Sequence, residues 1–135
     1  MKILLDTDTC IELIRRRAPQ VLRQFMRHSP GDAAISSITL AELAFGVAKS
    51  AHVEKNQTAL EEFASAFVVA PFDEAAAHCY GRVRAALQQS GNAIGSLDML
   101  IASQALSLEV ILVTHNVREF SRVRGLQVAD WIGES

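Results

Sequence analysis

Four acidic residues occupy positions from which a carboxylate could do chemistry. Asp6 follows the apolar run at residues 2–5, Asp98 lies near the start of a helical pattern, and Glu42 and Glu119 each follow a polar residue by three. Carboxylates gathered at one place repel one another and raise each other's pKa, and a shared divalent cation relieves that repulsion. Oxygen ligands suit Mg²⁺ or Mn²⁺, so the four acids predict a divalent-cation site if the fold brings them together.

Asp6 and Asp98 differ in how well a purely structural role explains them. Asp6 could form a turn or cap a helix, but Asp8 is better placed for that cap, which leaves Asp6 without a structural task. Asp98 stands in the first turn of a predicted helix, where an acid suits the helix dipole. Helical spacing aligns it with Ile101 and Ala102, so its carboxylate points inward and needs a metal ion or a hydrogen-bond partner. The polar side of that helix is predicted to carry three serines, Ser96, Ser103 and Ser107.

Glu42 and Glu119 both have the spacing of a capping box, in which a glutamate bonds back to the backbone N–H of a helix cap. The caps would be Thr39 and Asn116, three residues earlier in the sequence. Gly46 lies one turn beyond Glu42 on the same face, and because glycine weakens a helix, close approach of another group would explain it. The structural and the functional interpretations both stay open for these two glutamates.

Short apolar strands that alternate with helices must position these acids. Strands are predicted at residues 2–5, 33–36, 67–70, 110–114 and 126–129. Helices are predicted at residues 8–17, 19–26, 39–50, 53–66, 74–90, 96–107 and 117–122, with Ser96 and Asp73 as caps. This alternation predicts an α/β fold, a single domain over residues 1–135 with a short central parallel sheet of about five strands and helices on both faces. Sites in such sheets form beyond the carboxyl ends of the strands.

Composition narrows the classes of function. The chain has 135 residues and a formal net charge of −2, which excludes a strongly basic nucleic-acid-binding protein but not an enzyme with a local basic patch. Cys10 and Cys79 are far apart within apolar patterns, which indicates two buried thiols and a reducing, cytoplasmic setting. No stretch reads as a signal peptide or a membrane span. His115 is predicted to be a loop residue, since one histidine among carboxylates is weak support for a metal role.

Four stretches carry a resemblance to a known family. They are LLDTDTC at residues 4–10, ISSITLAELAFGV at 35–47, IGSLDMLIASQAL at 94–106 and LVTHNVREFSRVRGLQVADW at 112–131. In this order and over the whole chain they resemble the PIN-domain ribonuclease family, in particular VapC-type toxins of type II toxin–antitoxin systems. The resemblance implies a PIN-like fold and a Mg²⁺- or Mn²⁺-dependent endoribonuclease that cleaves structured RNA, often tRNA, and inhibits translation. It also implies a cognate VapB-type antitoxin and a homodimer or a hetero-oligomer with that antitoxin.

The resemblance places the family's metal-site acids on particular residues. They fall on Asp6, Glu42 and Asp98. The family often has a further acid two residues after the threonine that matches Thr114, and this chain has Asn116 there. Glu119 is the acid nearest to that position, so it is expected to be the fourth catalytic and metal-binding acid, with Thr114, Asn116 and Asp8 in support.

Two further positions depart from the family pattern. Asp8 stands where the family commonly has asparagine, and Ser96 where it often has proline. The implied mechanism makes Asp6 and Asp98 the primary ligands of a metal that activates water. Asp8→Asn is then expected to retain much of the activity and Asp6→Asn to lose nearly all of it.

Arginines are the candidates for attracting RNA to an acidic site. Two groups are expected to contribute to a phosphate-binding rim: Arg15, Arg16, Arg17, Arg23 and Arg27, and then Arg82, Arg84, Arg118, Arg122 and Arg124. Any single one of them is most simply a solvated charge on a helix. Apolar helix faces at residues 21–26 and 59–67 are candidates for a dimer or antitoxin surface, although packing in the core explains most of them.

Two rival functions remain open in the sequence. Residues 6–10, DTDTC, resemble the D-x-D-x-[TV] signature of haloacid-dehalogenase-like phosphatases, in which the first aspartate is a nucleophile, but Cys10 breaks that pattern. The other rival is a PIN fold kept as a binding module without catalysis. Such a module would be expected to lose its acids, whereas this chain keeps three and has a substitute for the fourth.

Overall fold

The computed structural model describes residues 1–133. Within them the strands are β1 (Ile3–Leu5), β2 (Ala33–Ser36), β3 (Val68–Ala70), β4 (Ile111–Val113) and β5 (Val128–Ala129). The helices are α1 (Thr7–Arg15), α2 (Pro19–Met26), α3 (Ser37–Ala48), α4 (Val53–Ala64), α5 (Glu74–Ser90), α6 (Ser96–Leu108) and α7 (Val117–Phe120). The single domain over residues 1–135 stays a prediction, and its last two residues lie outside the described part.

The five strands form one parallel sheet in the order β3-β2-β1-β4-β5. Strand β1 is central, with Leu4 level with Ala34 on one side and with Leu112 on the other. The chain builds the sheet outward from β1 to β3 and then returns to place β4 on the opposite side of β1. Such a reversal of strand order opens a crevice beyond the carboxyl ends of the two strands where it occurs, here β1 and β4.

Alternate side chains of the central strands enter two separate cores. Leu4 and Leu112 pack with residues of α5 and α6 on one face, whereas Leu5, Ile35 and Val113 pack with residues of α1 to α4 on the other. Burial on both faces explains why these strands are apolar throughout. The predicted α/β fold, with a five-stranded parallel sheet between helices, is therefore confirmed.

Edge strand β3 differs from the buried strand that its sequence suggested. Val68 and Val69 are 43% and 36% exposed, respectively. The strand pairs only with β2, so the sheet shields it along one side alone. None of the described helices combines the length and the apolar character that a membrane crossing requires.

Three of the predicted helix caps are wrong by one to three residues. Helix α1 begins at Thr7 with Asp6 at its N-cap position, so Asp8 lies inside the first turn. Helix α3 is capped by Ser36, whose Oγ accepts from the N–H of Ile38 at 2.9 Å, so Thr39 is not the cap. Helix α6 begins at Ser96 itself, and Gly95 holds the cap position. By contrast, Asp73 caps α5 as predicted, since it accepts from the N–H of Ala76 at 3.0 Å.

The middle of α6 is buried on the side that the serine pattern assigned to solvent. Ser103 is fully buried and donates to the carbonyl of Met99 at 2.6 Å, which corrects its predicted place on the polar face. Gln104, only 1% exposed, accepts from the Ser36 hydroxyl and donates to the carbonyl of Ala70 at 2.9 Å. Gln104 thus ties α6 to the ends of β2 and β3. Both cysteines are free and buried, as predicted.

Candidate metal centre

Asp6 lies directly beyond the carboxyl end of β1, beside the end of β4. Asp6 is only 5% exposed, and its Oδ2 accepts from the Thr114 hydroxyl at 2.7 Å. Burial, followed by the negative charges of Asp8 and Asp98, raises the pKa of Asp6 to about 7, although the hydrogen bond from Thr114 acts in the opposite direction. Asp6 is therefore a desolvated carboxyl group that is easily kept protonated near neutral pH.

Asp8 reaches across from α1 to the loop that follows β4. Its carboxylate accepts from the backbone N–H of His115 at 3.1 Å and from the Thr9 hydroxyl at 3.2 Å. Thr114 Oγ1 is also 3.5 Å from Asp8 Oδ2, at the limit of a hydrogen bond. The prediction that Asp8 caps the helix is wrong because these bonds tie it to the end of β4 instead.

Glu42 projects from α3 toward the start of α1. Its Oε1 accepts from the hydroxyl of Thr7 at 2.8 Å, and Thr7 also lies 3.3 Å from the hydroxyl of Thr39. Glu42 is therefore a half-buried member of the acidic edge and not the partner in a capping box. Gly46 has no heavy atom within 4 Å of the place where a Cβ would stand, so the expected close approach at this glycine is wrong. Glu42 and Gly46 instead line an open groove of about 560 Å³.

Asp98 and Glu119 form a coupled pair whose two pKa values move in opposite directions. Burial, and then the charge of Glu119 and a hydrogen bond with it, raise the pKa of Asp98 to about 6. Glu119 accepts from the backbone N–H of Gly95 and from Nδ2 of Asn116, each at 2.6 Å. These donors, the Gly95 N–H above all, lower the pKa of Glu119. Asn116 therefore supports Glu119 through its side chain and makes no capping bond to the backbone of α7.

Gly95 is a functional position that the sequence interpretation missed. A Cβ at this residue would stand 3.2 Å from Oδ2 of Asp98 and 3.6 Å from Oε1 of Glu119. Because glycine lacks that atom, the start of α6 can approach both carboxylates closely. The signal was present in the sequence, since this glycine comes immediately before the first turn that contains Asp98.

The predicted acids come together at one edge of the sheet. The charges of Glu119, Glu42 and Asp8 all contribute to the raised pKa of Asp98, and the charges of Asp8 and Asp98 to that of Asp6. All five acidic residues named from the sequence thus belong to one electrostatic neighbourhood. Burial and this repulsion oppose ionisation of Asp6 and Asp98 in particular.

The chemistry of this donor set fits a hard divalent cation. Between residues 1 and 133, no three His, Cys, Asp or Glu side chains are arranged in advance as a complete ligand set. Mg²⁺ does not need one, because it is usually held by one or two carboxylates and keeps several waters or substrate phosphate oxygens. Carboxylate and hydroxyl oxygens, in a place where like charges need neutralising, are what such an ion binds. The chemistry of these donors is therefore compatible with a metal ion and with hydrolysis of a phosphate ester.

His115 lies at the margin of this acidic edge, in the loop after β4, as predicted. Its Nδ1 is 3.1 Å from Oδ2 of Asp130. The other oxygen of Asp130 accepts from the backbone N–H groups of Ile132 and Gly133. This loop histidine is thus held by an aspartate outside the group of five acids.

The arginines expected to form one rim lie in separate places. Arg17 pairs with Glu12 at 2.9 Å, and Arg84 donates to the hydroxyl of Tyr80 at 3.0 Å. Arg15 lines the groove that contains Glu42. A third set, Arg82, Arg122 and Arg124, lines a cleft between α5, α6 and the segment after α7. Arg15 therefore lines a different surface from Arg82, Arg122 and Arg124.

Comparison with known proteins identifies a family and near full-length relatives. Residues 3–126 match the PIN domain family. A tRNA(fMet)-specific endonuclease VapC from Shigella flexneri is 41% identical over 97% of this chain and 98% of that protein. Ribonuclease VapC2 from Haemophilus influenzae is 37% identical over 98% of this chain and 99% of that protein.

Solved structures show the same similarity in three dimensions. A chain of DNA-bound VapBC from Salmonella typhimurium is 38% identical and superposes with a TM-score of 0.92, covering 97% of this chain and 98% of that one. A chain of VapBC2 from Rickettsia felis, bound to a DNA fragment from the promoter, is 36% identical with a TM-score of 0.89, covering 97% and 99%. The likeness therefore extends over nearly the whole of each chain.

Proposed function

The chain belongs to the PIN domain family, and we propose that it is a Mg²⁺- or Mn²⁺-dependent endoribonuclease, the toxin of a VapBC-type toxin–antitoxin pair. The observation that carries the proposal is the convergence of Asp6, Glu42, Asp98 and Glu119 at the carboxyl edge of the sheet. Relatives that share more than a third of its residues over nearly their full length are named ribonucleases or tRNA(fMet)-specific endonucleases. The site and the relatives support the same reaction class, hydrolysis of an RNA phosphodiester.

In this proposal the metal is held chiefly by Asp6 and Asp98, with Glu42 and Glu119 completing the site directly or through water. A bound divalent cation supplies positive charge against the phosphate and lowers the pKa of a coordinated water. Asp6, which is buried, and Asp98, which is half-buried, are assigned the primary role because burial and neighbouring like charges raise their pKa values. Among the described residues, no cationic side chain is a main contributor to the pKa shift of either aspartate.

The other residues of the site orient these carboxylates. The Thr114 hydroxyl holds one oxygen of Asp6, and the Thr7 hydroxyl holds one oxygen of Glu42. The Gly95 N–H and the Asn116 amide keep Glu119 ionised, and Glu119 in turn shares a hydrogen bond with Asp98. Because the pKa of Asp98 is raised to about 6, this pair holds a proton at lower pH, which a cation that binds Asp98 would displace.

The proposal extends to the substrate and to the protein partner. We propose a structured RNA, with tRNA as the first class to test, because two relatives are named tRNA(fMet)-specific endonucleases. Cleavage of such an RNA would inhibit translation. We also propose a VapB-type antitoxin as partner, since the similar solved structures are VapBC complexes, and a homodimer as the form that it binds.

The decisive experiment is cleavage by the purified chain of an RNA pool that includes initiator tRNA. We expect cleavage with Mg²⁺ or Mn²⁺, none with EDTA, and none by Asp98→Asn, which keeps the size of the side chain but removes its charge. Addition of the cognate antitoxin should suppress cleavage. Cleavage in EDTA would contradict the metal dependence, and cleavage by Asp98→Asn at the wild-type rate would contradict the assigned site.

The two rival functions make different predictions. A haloacid-dehalogenase-like phosphatase would form a phospho-aspartate on Asp6, which is 5% exposed and bonded to Thr114, and membership of the PIN family argues against that fold. A binding module without catalysis would show no stabilisation by metal. A rise in melting temperature with Mn²⁺ that Asp98→Asn lacks would therefore favour the enzyme over the module.

A further inference from the structure

A second cleft lies apart from the groove that contains Glu42, between α5, α6 and the segment after α7. It has a volume of about 650 Å³ and an apolar floor built by residues of α5 and α6. Three arginines line it: Arg82 from α5, and Arg122 and Arg124 from the segment after α7. Three guanidinium groups around one cleft concentrate positive charge in a chain whose formal net charge is −2.

No acidic residue lines this cleft to neutralise the arginines. Within residues 1–133, neither Arg82 nor Arg124 forms an ion pair, whereas Arg17 pairs with Glu12. The serine hydroxyls of the cleft are already committed, since Ser90 donates to the carbonyl of Leu87 and Ser107 to that of Gln104. Among the described residues, the guanidinium groups of Arg82 and Arg124 have no hydrogen-bond partner in the protein, so their N–H donors are the ones left for a ligand.

Arg122 connects this cleft to the acidic edge. Its Nη1 donates to the carbonyl of Ala93 at 3.0 Å, in the loop that leads to Gly95 and the start of α6. It is also close enough to Glu119 for its charge to contribute to the lowered pKa of that carboxylate. Arg122 therefore belongs both to the surroundings of Glu119 and to the cleft that it lines with the two other arginines.

We propose that this arginine cleft is a phosphate-binding subsite, which holds a backbone phosphate of the RNA substrate away from the bond that is cut. The inference rests on the proposed ribonuclease function and names a contact of its substrate. Guanidinium groups suit this task because their forked donors match phosphate oxygens and stay charged at all physiological pH values. Such a contact carries no base specificity; it sets the position of the RNA along the protein.

The test compares two double variants that remove the same charge. Arg82→Gln with Arg124→Gln empties the cleft of two guanidinium groups and leaves Arg122, which touches the acidic edge, in place. Lys2→Gln with Lys55→Gln is the control, because it removes the same charge from two exposed side chains, one before β1 and one on α4, that lie outside the cleft. The probe is fluorescently labelled initiator tRNA in EDTA, so that binding is measured without cleavage, and melting temperatures check that the variants fold.

We expect the cleft variant to bind the probe roughly tenfold more weakly for each arginine removed, and the control variant to change little. The slope of log affinity against log salt should fall by about 0.7 to 0.9 for each lost phosphate contact. With metal present, KM for cleavage should rise while kcat stays the same, because the reacting atoms are untouched. Arg82→Lys with Arg124→Lys should recover part of the affinity, since it restores charge without the forked donors.

Three other results would overturn the inference. Unchanged affinity and salt slope in the cleft variant would show that no phosphate binds there. Equal losses in the control variant would show a general charge effect. Retained RNA affinity with lost affinity for the antitoxin would make the cleft a protein interface. If the wild-type chain binds the probe through the cleft but cleaves no RNA with either metal, the cleft stands and only the proposed function fails.

Discussion

Helix α6 carries two polar regions, one buried around Gln104 and one half-buried around Asp98, that differ in how their polar atoms are satisfied. Near its middle, Gln104 accepts from the Ser36 hydroxyl and donates to the carbonyls of Ala70 and Pro71, so that the amide is fully hydrogen-bonded. In its first turn, Asp98 faces the negative charges of Glu119 and of other acids, which together with burial raise its pKa. The region around Gln104 is neutral and has all its hydrogen bonds, whereas the region around Asp98 contains carboxylates that repel one another.

The difference separates stability from function along a single helix. A buried amide with all its partners holds α6 to β2 and β3 and needs nothing from outside. Desolvated carboxylates that repel one another oppose folding unless a cation joins them, and such groups are characteristic of functional sites. Mutations in the two regions should therefore change stability in opposite directions, and only those in the acidic region should change catalysis directly.

The largest expected effect is on cleavage. Asp98→Asn should lower RNA cleavage on the order of 10³-fold or more, because a metal ligand contributes several kcal/mol to stabilisation of the transition state. The same variant should be at least as stable as the wild type in EDTA, since it removes a repelled charge. Asp73→Asn is the matched control, an identical change at the N-cap of α5, and it should cleave normally. Cleavage assays and urea denaturation measure both quantities.

The next effect is the pH dependence of stability without metal. Asp6 has a pKa of about 7 in the folded chain and an ordinary value of 3.8. The folded state thus binds more protons between these values, so stability falls as pH rises from about 4 to 7. Asp6→Asn removes this pH dependence. In EDTA its free energy of unfolding should exceed that of the wild type by up to ~4 kcal/mol above pH 7, with no difference near pH 4.

Urea denaturation of the two proteins across this pH range, with EDTA throughout, measures the difference. A difference that is constant with pH would contradict the raised pKa of Asp6. With saturating Mg²⁺ the wild type should become the more stable of the two proteins above pH 7, because only its Asp6 carboxylate can bind the ion.

A smaller effect, of the opposite sign, is expected in the neutral region. Gln104→Met keeps the length of the side chain but leaves the Ser36 hydroxyl and the Ala70 carbonyl without their partner, so stability should fall by about 2–3 kcal/mol. Gln88→Met, on the exposed face of α5, is the control and should change stability by less than about 0.5 kcal/mol. Urea denaturation of the variants and the wild type at a single pH measures these changes in stability. A stable Gln104→Met protein would remove the contrast between the two regions.

The smallest effect is expected at Asp8. The His115 N–H and the Thr9 hydroxyl bond to different oxygens of Asp8, so the single oxygen of an asparagine can accept from the N–H while the hydroxyl keeps its other acceptor, the carbonyl of Val113. Asp8→Asn should therefore reduce cleavage by less than about tenfold, far less than Asp6→Asn. Parallel kinetic assays of the two variants decide this. Equal losses would place Asp8 among the metal ligands and enlarge the acidic centre.

Much of the fold and part of the site could be predicted from local patterns. The helical period aligns Asp98 with apolar residues such as Ile101, which predicts an inward-facing carboxylate, and Asp6 stands out because it follows an apolar strand. The capping interpretations of Thr39 and Asp8 were wrong because the spacing of a cap motif does not say which residue begins the helix. The placement of Ser103 failed for a related reason, since α6 is buried on more than one side.

The sequence by itself determined the alternation of apolar strands and helices, and hence the parallel sheet whose carboxyl edge receives the acids. These features follow from side-chain period and burial, which are local properties of the chain. Only the tertiary structure decided that Thr114 would hold Asp6, that Gly95 would bring Asp98 against Glu119, and that three arginines would share a cleft. These contacts join residues distant in sequence, and the order of the strands, which no local pattern encodes, sets which of them meet.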